Sequence, residues 1–310
     1  MKMLPKCLAI AVPTLFGVLL ATTLLGLPVG GSSDVDSITE TVLRNQQAYF
    51  QKITSLEFDA RTVLKLSAEA KEKQGLPTDT IETGMRFASS GLKYRVELTY
   101  VDVDTGKTLT TMIAYNGELY QVLDSSDKPT LTVSRATILP IGPHPLMFAF
   151  RFAFLPGDTL SLGELQSNEK WSQLAGMVLG SEDATMLGHD GIKLKLKVPS
   201  RSDAVEDSYE VFFASDLDYL PIYWRVVHPG AGGGVSECKV VLTESYDDVN
   251  GGINIPTRLE FADYFPDGTL AQNGYTQIDT ETLMVNFTIP MSRAYRYADK
   301  DTGAVTVIRP

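Results

Sequence analysis

The feature of this sequence that most restricts its fold is the hydrophobic period that begins at Leu56. From there onward, apolar and polar residues alternate in short runs, which is the two-residue period of a β-strand with one buried face. Turn residues separate these runs at short intervals, as they do between antiparallel strands. The sequence therefore predicts an antiparallel meander and not alternating strands and helices.

The predicted strands form two groups, and together they indicate a sheet of about eleven strands. The first group comprises residues 56–60, 62–66, 80–88, 93–101 and 108–115. The second comprises residues 192–198, 208–214, 219–227, 236–246, 254–265, 272–286 and 304–308. Turns are predicted at 89–91, 104–106, 116–117, 190–191, 250–252 and 266–268, where Gly follows Ser, Thr, Asn or Asp.

One amphipathic helix is predicted before the strands. Asp34 or Ser37 can cap its N-terminus, because both side chains accept hydrogen bonds from free backbone N–H groups. Apolar residues then recur at spacings of four, seven and four, which places them on one side of a helix: Ile38, Val42, Tyr49 and Ile53. This apolar stripe is expected to lie against the sheet.

The strand pattern stops between Pro140 and about Gly180. This segment contains an alternating aromatic run that follows Leu146 and Met147: Phe148, Phe150, Phe152 and Phe154. As a strand, the run places four rings on one face; as a helix, it gives two pairs at i,i+4. Several prolines limit any helix here to two or three turns, and residues 168–175 indicate a second short helix.

Two interpretations of the phenylalanine run remain open. The rings either fill the core of the sheet, or they line an apolar cavity that is open to a ligand chain. In the second interpretation, the candidate lining comprises this run and the stripe of the first helix: Met147, Phe148, Phe150, Phe152, Phe154, Ile38, Val42 and Tyr49.

The N-terminus is typical of an exported protein. Two lysines precede an uncharged segment from Cys7 to Ser33, whose residues 8–27 are almost wholly apolar. This pattern predicts either a signal peptide over residues 1–31 or a retained membrane anchor. Residues 32–310 are then expected to form a single domain in the periplasm or cell envelope, soluble after cleavage or associated with the membrane through residues 8–27.

Charge and cysteine content exclude several classes of function. The whole chain carries a net charge of −11, and loss of residues 1–31 removes two lysines and no acid, which leaves −13. Such an acidic domain is poorly suited to bind nucleic acid. Cys238 is the single cysteine after the signal segment, so an intrachain disulfide and a thiolate metal site are excluded there. Its alternating surroundings favour a buried thiol over a nucleophile.

No catalytic, metal or cofactor site is predicted. The three histidines lie in or beside turns, without the spacing of a metal-ligand pair: His144, His189 and His228. A nucleophile elbow and a phosphate-binding loop are both absent from the sequence. Acidic residues cluster near turns, where they are usually solvated. An exported hydrolase remains an alternative, which would need a carboxylate pair near Asp102 or Asp216.

The order of these elements resembles the lipoprotein-carrier superfamily of the bacterial envelope, which includes lipoprotein-localisation factors of the LolA and LolB type. The stretches that carry this resemblance are 49–58, 115–120, 218–224, 246–257 and 283–290. The resemblance implies a mainly β fold with a few helices (α+β). In this fold a curved, open antiparallel half-barrel is covered by an N-terminal helix and a central helical insertion.

The resemblance also implies a function. The concave face of such a half-barrel holds acyl chains, so the implied partner is a lipid or an acylated protein. The first hypothesis is a non-enzymatic envelope protein that binds or carries an apolar ligand, with lipoprotein sorting as one such role. The alternative is a membrane-tethered structural or interaction module whose core is filled by its own side chains.

Overall fold

A computed structural model of the chain describes residues 33–102, 105–124, 129–135, 163, 166, 175–198, 207–227, 233–245, 252–287 and 305–309. Within these ranges the helices are α1 (Ser33–Gln51) and α2 (Ala68–Gln74), and residues Ser215–Leu217 form a 3₁₀ turn. The strands of the first half are β1 (Ser55–Leu66), β2 (Thr80–Ser90), β3 (Lys93–Val101), β4 (Thr108–Tyr115), β5 (Tyr120–Asp124) and β6 (Thr130–Ser134). Those of the second half are β7 (Val178–Met186), β8 (His189–Val198), β9 (Asp207–Ala214), β10 (Leu220–Val227), β11 (Val235–Ser245), β12 (Asn254–Tyr264), β13 (Leu270–Ile278), β14 (Met284–Val285) and β15 (Val305–Arg309).

All of these strands belong to one open sheet. Its order is β15-β6-β5-β4-β3-β2-β1-β13-β12-β11-β10-β9-β8-β7, and β14 pairs with the start of β1. Every pairing is antiparallel except that between β15 and β6. The predicted class, a mainly antiparallel β fold with few helices, is confirmed. The predicted number of about eleven strands is wrong, since fourteen strands of the described residues follow one another along the sheet.

The strands that the sequence pattern missed are short or lie at an edge. β5 and β6 have five residues each, which is too short for the alternation to be distinctive. β7 is the last strand of the sheet in the described part of the chain, and its exposure does not alternate cleanly. An edge strand contacts one neighbour only, so its sequence is less restricted than that of a central strand.

The turn predicted at residues 190–191 is wrong. The hairpin between β7 and β8 turns at Leu187 and Gly188, whose φ angles are 55° and 88°, and Met186 pairs with His189. Two positive φ angles in a two-residue loop match the twist of the adjoining strands. Asp190 and Gly191 lie inside β8. Glycine is required at position 191 by the close approach of the neighbouring strand and not by a turn. A Cβ atom there would lie 1.9 Å from the carbonyl oxygen of Phe213.

The helices also differ from the prediction. α1 begins at Ser33, so both predicted caps, Asp34 and Ser37, lie within the residues of the helix and not before it. The carbonyl of Ser37 accepts a hydrogen bond from the Thr41 hydroxyl at 2.9 Å. α2 was not predicted, although its ends carry clear signals. The Ser67 side chain accepts a hydrogen bond from the N–H of Ala70, and Gly75 ends the helix with a φ of 65°.

The core lies on one face of the sheet, which we call the inner face because α1 packs against it. Strand register places one row of inner-face residues across seven strands: Leu64, Gly274, Phe261, Cys238, Trp224, Val211 and Leu194. Another row crosses the first four strands: Phe58, Phe87, Val96 and Ile113. Buried residues from both halves of the sheet belong to a single cluster with those of α1.

The N-terminal segment, for which a signal peptide or an anchor is predicted, lies outside the described residues. Among the residues that are described, neither helix combines the length and apolar character needed to cross a membrane.

Candidate functional site

The buried side of α1 is the predicted apolar stripe, with additions. Val42 is fully buried, Tyr49 is 1% exposed, and Ile38 is partly buried against the core. The prediction did not include Leu43 and Phe50, which are also buried on this helix. Their positions follow from the helical period, since each is adjacent to a stripe residue and extends the same apolar face.

α1 contacts several strands of the second half of the sheet. The Tyr49 hydroxyl donates a hydrogen bond to the carbonyl oxygen of Asn254 at 2.8 Å, at the start of β12. The buried Gln46 side-chain amide donates to the carbonyl of Tyr219, just before β10. The helix also contacts β7, the last strand. Because these contacts involve several strands, α1 lies across the inner face and does not follow a single pair of strands.

Side chains distant in sequence bind the C-terminal end of α1. The Gln166 amide donates to the carbonyls of Phe50 and Ile53, at 3.0 Å and 2.9 Å. The Asn286 amide donates to the carbonyl of Lys52 at 2.8 Å. The last carbonyls of a helix have no partner within it, and the chain just beyond α1 continues this need for donors. The Phe50 carbonyl also accepts from the Ile53 N–H at 3.1 Å, so Gln166 adds a second donor there, while the amides of Gln166 and Asn286 supply donors to Ile53 and Lys52. Sequence patterns carry no signal for such pairings.

The loop before β10 is conformationally strained. Asp218 and Tyr219 have φ angles of 57° and 58°, a left-handed conformation that costs energy for residues with a side chain. Two contacts with α1 hold this loop. The Lys52 ammonium lies 3.4 Å from the Asp218 carboxylate, and the Tyr219 carbonyl accepts from Gln46. The loop and the helix end therefore stabilise each other.

The predicted aromatic half of the site lies outside the described residues. These positions are Met147, Phe148, Phe150, Phe152 and Phe154. Of the central segment that contains them, the structure describes Gly163, Gln166 and residues 175–180. The Gly163 N–H donates to the carbonyl of Gly91 at 2.7 Å, and Gln166 binds the end of α1.

The residues that a hydrolase could use are engaged locally. Asp102 accepts a hydrogen bond from the N–H of Thr105 in the turn after β3. Asp216 lies 2.8 Å from the Nδ1 atom of His189, and both are solvent-accessible. Within the described ranges, no three His, Cys, Asp or Glu side chains are grouped so that they could hold a metal ion.

Cys238 is a buried free thiol, as the strand pattern predicted. Burial raises the pKa of the Cys238 thiol well above its usual value, and the nearby Asp263 carboxylate adds to this shift. The thiol therefore stays protonated at neutral pH, and a protonated thiol is a poor nucleophile.

Replacing Tyr49 with phenylalanine tests the contact between α1 and β12. Loss of the hydroxyl leaves the Asn254 carbonyl without this donor, so the free energy of unfolding should fall by about 1–2 kcal/mol. Burial, with a smaller contribution from Asp218, raises the pKa of Tyr49 in the folded chain. An unfolded tyrosine ionises above about pH 10, so alkaline pH favours the unfolded state.

Urea unfolding at several alkaline pH values measures this effect. Above pH 10, the native chain should lose stability faster than Tyr49→Phe, by up to about 1.4 kcal/mol per pH unit. Equal pH slopes for the two proteins would contradict the burial of this hydroxyl.

Comparisons with known proteins concern the fold. No known protein family's sequence profile matches the chain, and no curated protein is similar to it in sequence. A DUF1329 family protein from Desulfovibrio piger is similar in structure, with 8% identity and a TM-score of 0.48 over 84% of this chain and 96% of that chain. A LolA superfamily protein from Nitrosomonas europaea has 10% identity and a TM-score of 0.46 over 84% of this chain and 98% of that chain. The second structure belongs to the superfamily that the sequence resembles. Likeness at this level transfers no function to this chain.

Proposed function

We propose that this protein is a non-enzymatic envelope protein that binds or carries a lipid or an acylated partner between its sheet and its helices. The observation that carries the proposal is the extent of the apolar inner face. Fourteen strands, spaced about 4.8 Å apart, give a sheet about 65 Å wide. A helix with its side chains is about 10–12 Å wide. α1 alone therefore covers a small part of this face.

The burial of both halves of the sheet supports a curved arrangement. Inner-face residues of β2–β4 and of β8–β12 are buried in one cluster with α1. A curved sheet would bring both groups of strands close to one helix. In the proposal, residues 32–310 form a single half-barrel domain that curves around α1. The central segment supplies a second cover.

The proposed site combines the apolar side of α1 with the phenylalanine run. Its members are Ile38, Val42, Tyr49, Met147, Phe148, Phe150, Phe152 and Phe154. Burial of an acyl chain provides roughly 25 cal/mol for each Å² of apolar surface removed from water, so no titrating residue is needed for affinity. Lipoprotein sorting is one role of this kind. A chain released by cleavage near residue 31 could carry its ligand, whereas one anchored through residues 8–27 could hold or present it.

Ligand binding can be tested directly. Protein purified without detergent from its own envelope fraction should retain lipid that mass spectrometry detects, and it should bind a fluorescent fatty acid. Changing Phe150 and Phe152 to glutamine should weaken probe binding about tenfold or more, since a buried Phe contributes about 1.5–3 kcal/mol.

The matched control is Val101→Gln, which removes an apolar side chain that is 53% exposed on β3. This variant should bind the probe as the native chain does. Absence of lipid together with absence of probe binding by the native chain would refute the proposal.

The second candidate function is an interaction module with a self-filled core. The observation in its favour is that Val42, Phe50 and Ile53 are fully buried by the protein's own residues. In that case the inner face has no room for an acyl chain. The fatty acid titration separates the two functions, because a self-filled core leaves the probe unbound.

A further inference from the structure

A depression of about 420 Å³ lies on the opposite side of the sheet from α1, which we call the outer face. It is formed by five adjacent strands, β1, β13, β12, β11 and β10. Its volume is within the range of roughly 300–1,000 Å³ that is usual for small-molecule sites. The proposed apolar function makes no use of it.

Strand register explains how the depression is built. One row of outer-face side chains crosses the five strands in direct register: Val63, Tyr275, Glu260, Lys239 and Tyr223. The next row is parallel to it: Lys65, Asn273, Ala262, Glu237 and Arg225. Ala262 is small and lies between longer side chains, so the surface of the sheet is recessed at the centre of the second row. Tyr264, two residues further along β12, closes one end.

The acids of this surface are neutralised by neighbouring cations. Glu260 lies 3.0 Å from the Lys239 ammonium and 3.5 Å from the Arg258 guanidinium. Glu237 lies 3.3 Å from the Arg225 guanidinium. Lys65 has no acid within 4.0 Å in the part of the chain that the structure describes, although it lines the depression.

The charges of the lining balance, but one cation is left without an acid. Lys65, Lys239, Glu237 and Glu260 line the depression, and both carboxylates are already paired, with Lys239, Arg225 and Arg258. An anionic ligand can therefore pair with Lys65, which would repel a cationic one.

Tyrosine side chains supply the flat surfaces of the site. The Arg258 guanidinium stacks on Tyr275, 4.5 Å from the ring centroid, and holds that ring in place. Tyr223 makes a hydrogen bond with Glu237, and burial together with that carboxylate raises the pKa of Tyr223 to about 12. Its hydroxyl therefore remains a hydrogen-bond donor at neutral pH. The rings combine apolar surface with polar edges.

We propose that this depression binds an acidic carbohydrate, namely an oligosaccharide whose sugar rings carry carboxylates. The C–H faces of the sugar lie against Tyr223 and Tyr264, and its carboxylate binds Lys65. Its hydroxyls pair with the Asn273 amide and with the Glu260 carboxylate. An acyl chain fits poorly here, because it would strip water from charged groups without replacing their hydrogen bonds. This site is independent of the proposed inner-face function.

Calorimetric titration of the full chain with trigalacturonic acid, compared with neutral galactotriose, tests the proposal. The acidic trisaccharide should bind at least about tenfold more tightly than the neutral one. Its affinity should also fall as salt is raised, because salt screens the attraction between exposed charges. Equal affinities would overturn the assignment of an acidic ligand, and no binding of either sugar would overturn the site.

Variants locate the binding. Lys65→Met should reduce affinity for the acidic trisaccharide about tenfold and leave the neutral one unchanged. Tyr223→Ala should weaken both, whereas Tyr223→Phe keeps the ring that contacts the sugar and should retain most of the affinity. Lys71→Met, on α2, is the matched control and should bind like the native chain. Trigalacturonic acid binding that is unchanged by Lys65→Met and Tyr223→Ala would refute the proposal. None of these variants should change fatty acid binding.

Discussion

Replacing Phe50 with alanine is expected to lower the free energy of unfolding by about 3–5 kcal/mol, because it opens a cavity at the contact between α1 and the sheet. The Phe50 side chain is fully buried, and its ring packs edge-on against Tyr49 with 5.1 Å between centroids. The neighbouring backbone is restrained as well, since the Phe50 carbonyl accepts a hydrogen bond from Gln166. A site held this firmly cannot collapse to fill the lost volume. Urea unfolding followed by tryptophan fluorescence measures the change.

The matched control for Phe50→Ala is Arg44→Ala, at an exposed position of the same helix. This variant should change the free energy of unfolding by no more than about 0.5 kcal/mol. Similar values for the two variants would mean that α1 does not pack on the inner face as described. If only Phe50→Ala lowers the free energy of unfolding, the stability of the domain depends on the packing of this helix.

Replacing Gly191 with alanine is expected to destabilise the chain by about 3 kcal/mol, at the upper end of the usual cost of overpacking. The new Cβ would lie 1.9 Å from the carbonyl oxygen of Phe213 and 3.0 Å from the edge of the Phe212 ring. The first contact is with backbone, which cannot rotate away as a side chain can. β8 and β9 must therefore separate locally, and Gly191 pairs with Ala214 at that point.

The matched control for Gly191→Ala is Gly180→Ala on β7. A Cβ at Gly180 would meet nothing within 4 Å, so this change should be neutral or slightly stabilising. Thermal unfolding of the two variants beside the native chain gives the comparison. Equal losses of stability would show that glycine is needed at both positions for its backbone conformation. The close approach of the Phe213 backbone to Gly191 would then not be the cause.

Local sequence patterns predicted the strands and the helix whose formation depends on residues nearby in the sequence. The alternation of 93–101 and 108–115 predicted β3 and β4 with their observed bounds, because an inner and an outer face alternate along every strand. The stripe of Ile38, Val42 and Tyr49 predicted which side of α1 faces the sheet. The short strands β5 and β6 and the edge strand β7 were not predicted, because their alternation is brief or imperfect.

The partners of the site residues could not be predicted. The hydrogen bonds of Gln46 to Tyr219 and of Asn286 to Lys52 join residues that are 173 and 234 positions apart. Polar side chains of these types are frequent on any surface, so nothing in the sequence marks them as partners. The contact of Asn286 with Lys52 arises from the pairing of β1 with β13 and β14, which brings residues 272–285 beside the strand that follows α1.

The sequence by itself determined the structural class of this protein, because period and turn chemistry are local properties. Alternation from Leu56 onward requires strands, and the apolar stripe requires a helix that packs on them. The single cysteine within residues 32–310 excludes a disulfide within that range. Only the tertiary structure decided that both halves join into one sheet and which residues share a row across it. The outer-face depression depends on that register, since a shift of one residue in β13 would turn Tyr275 and Asn273 to the other face.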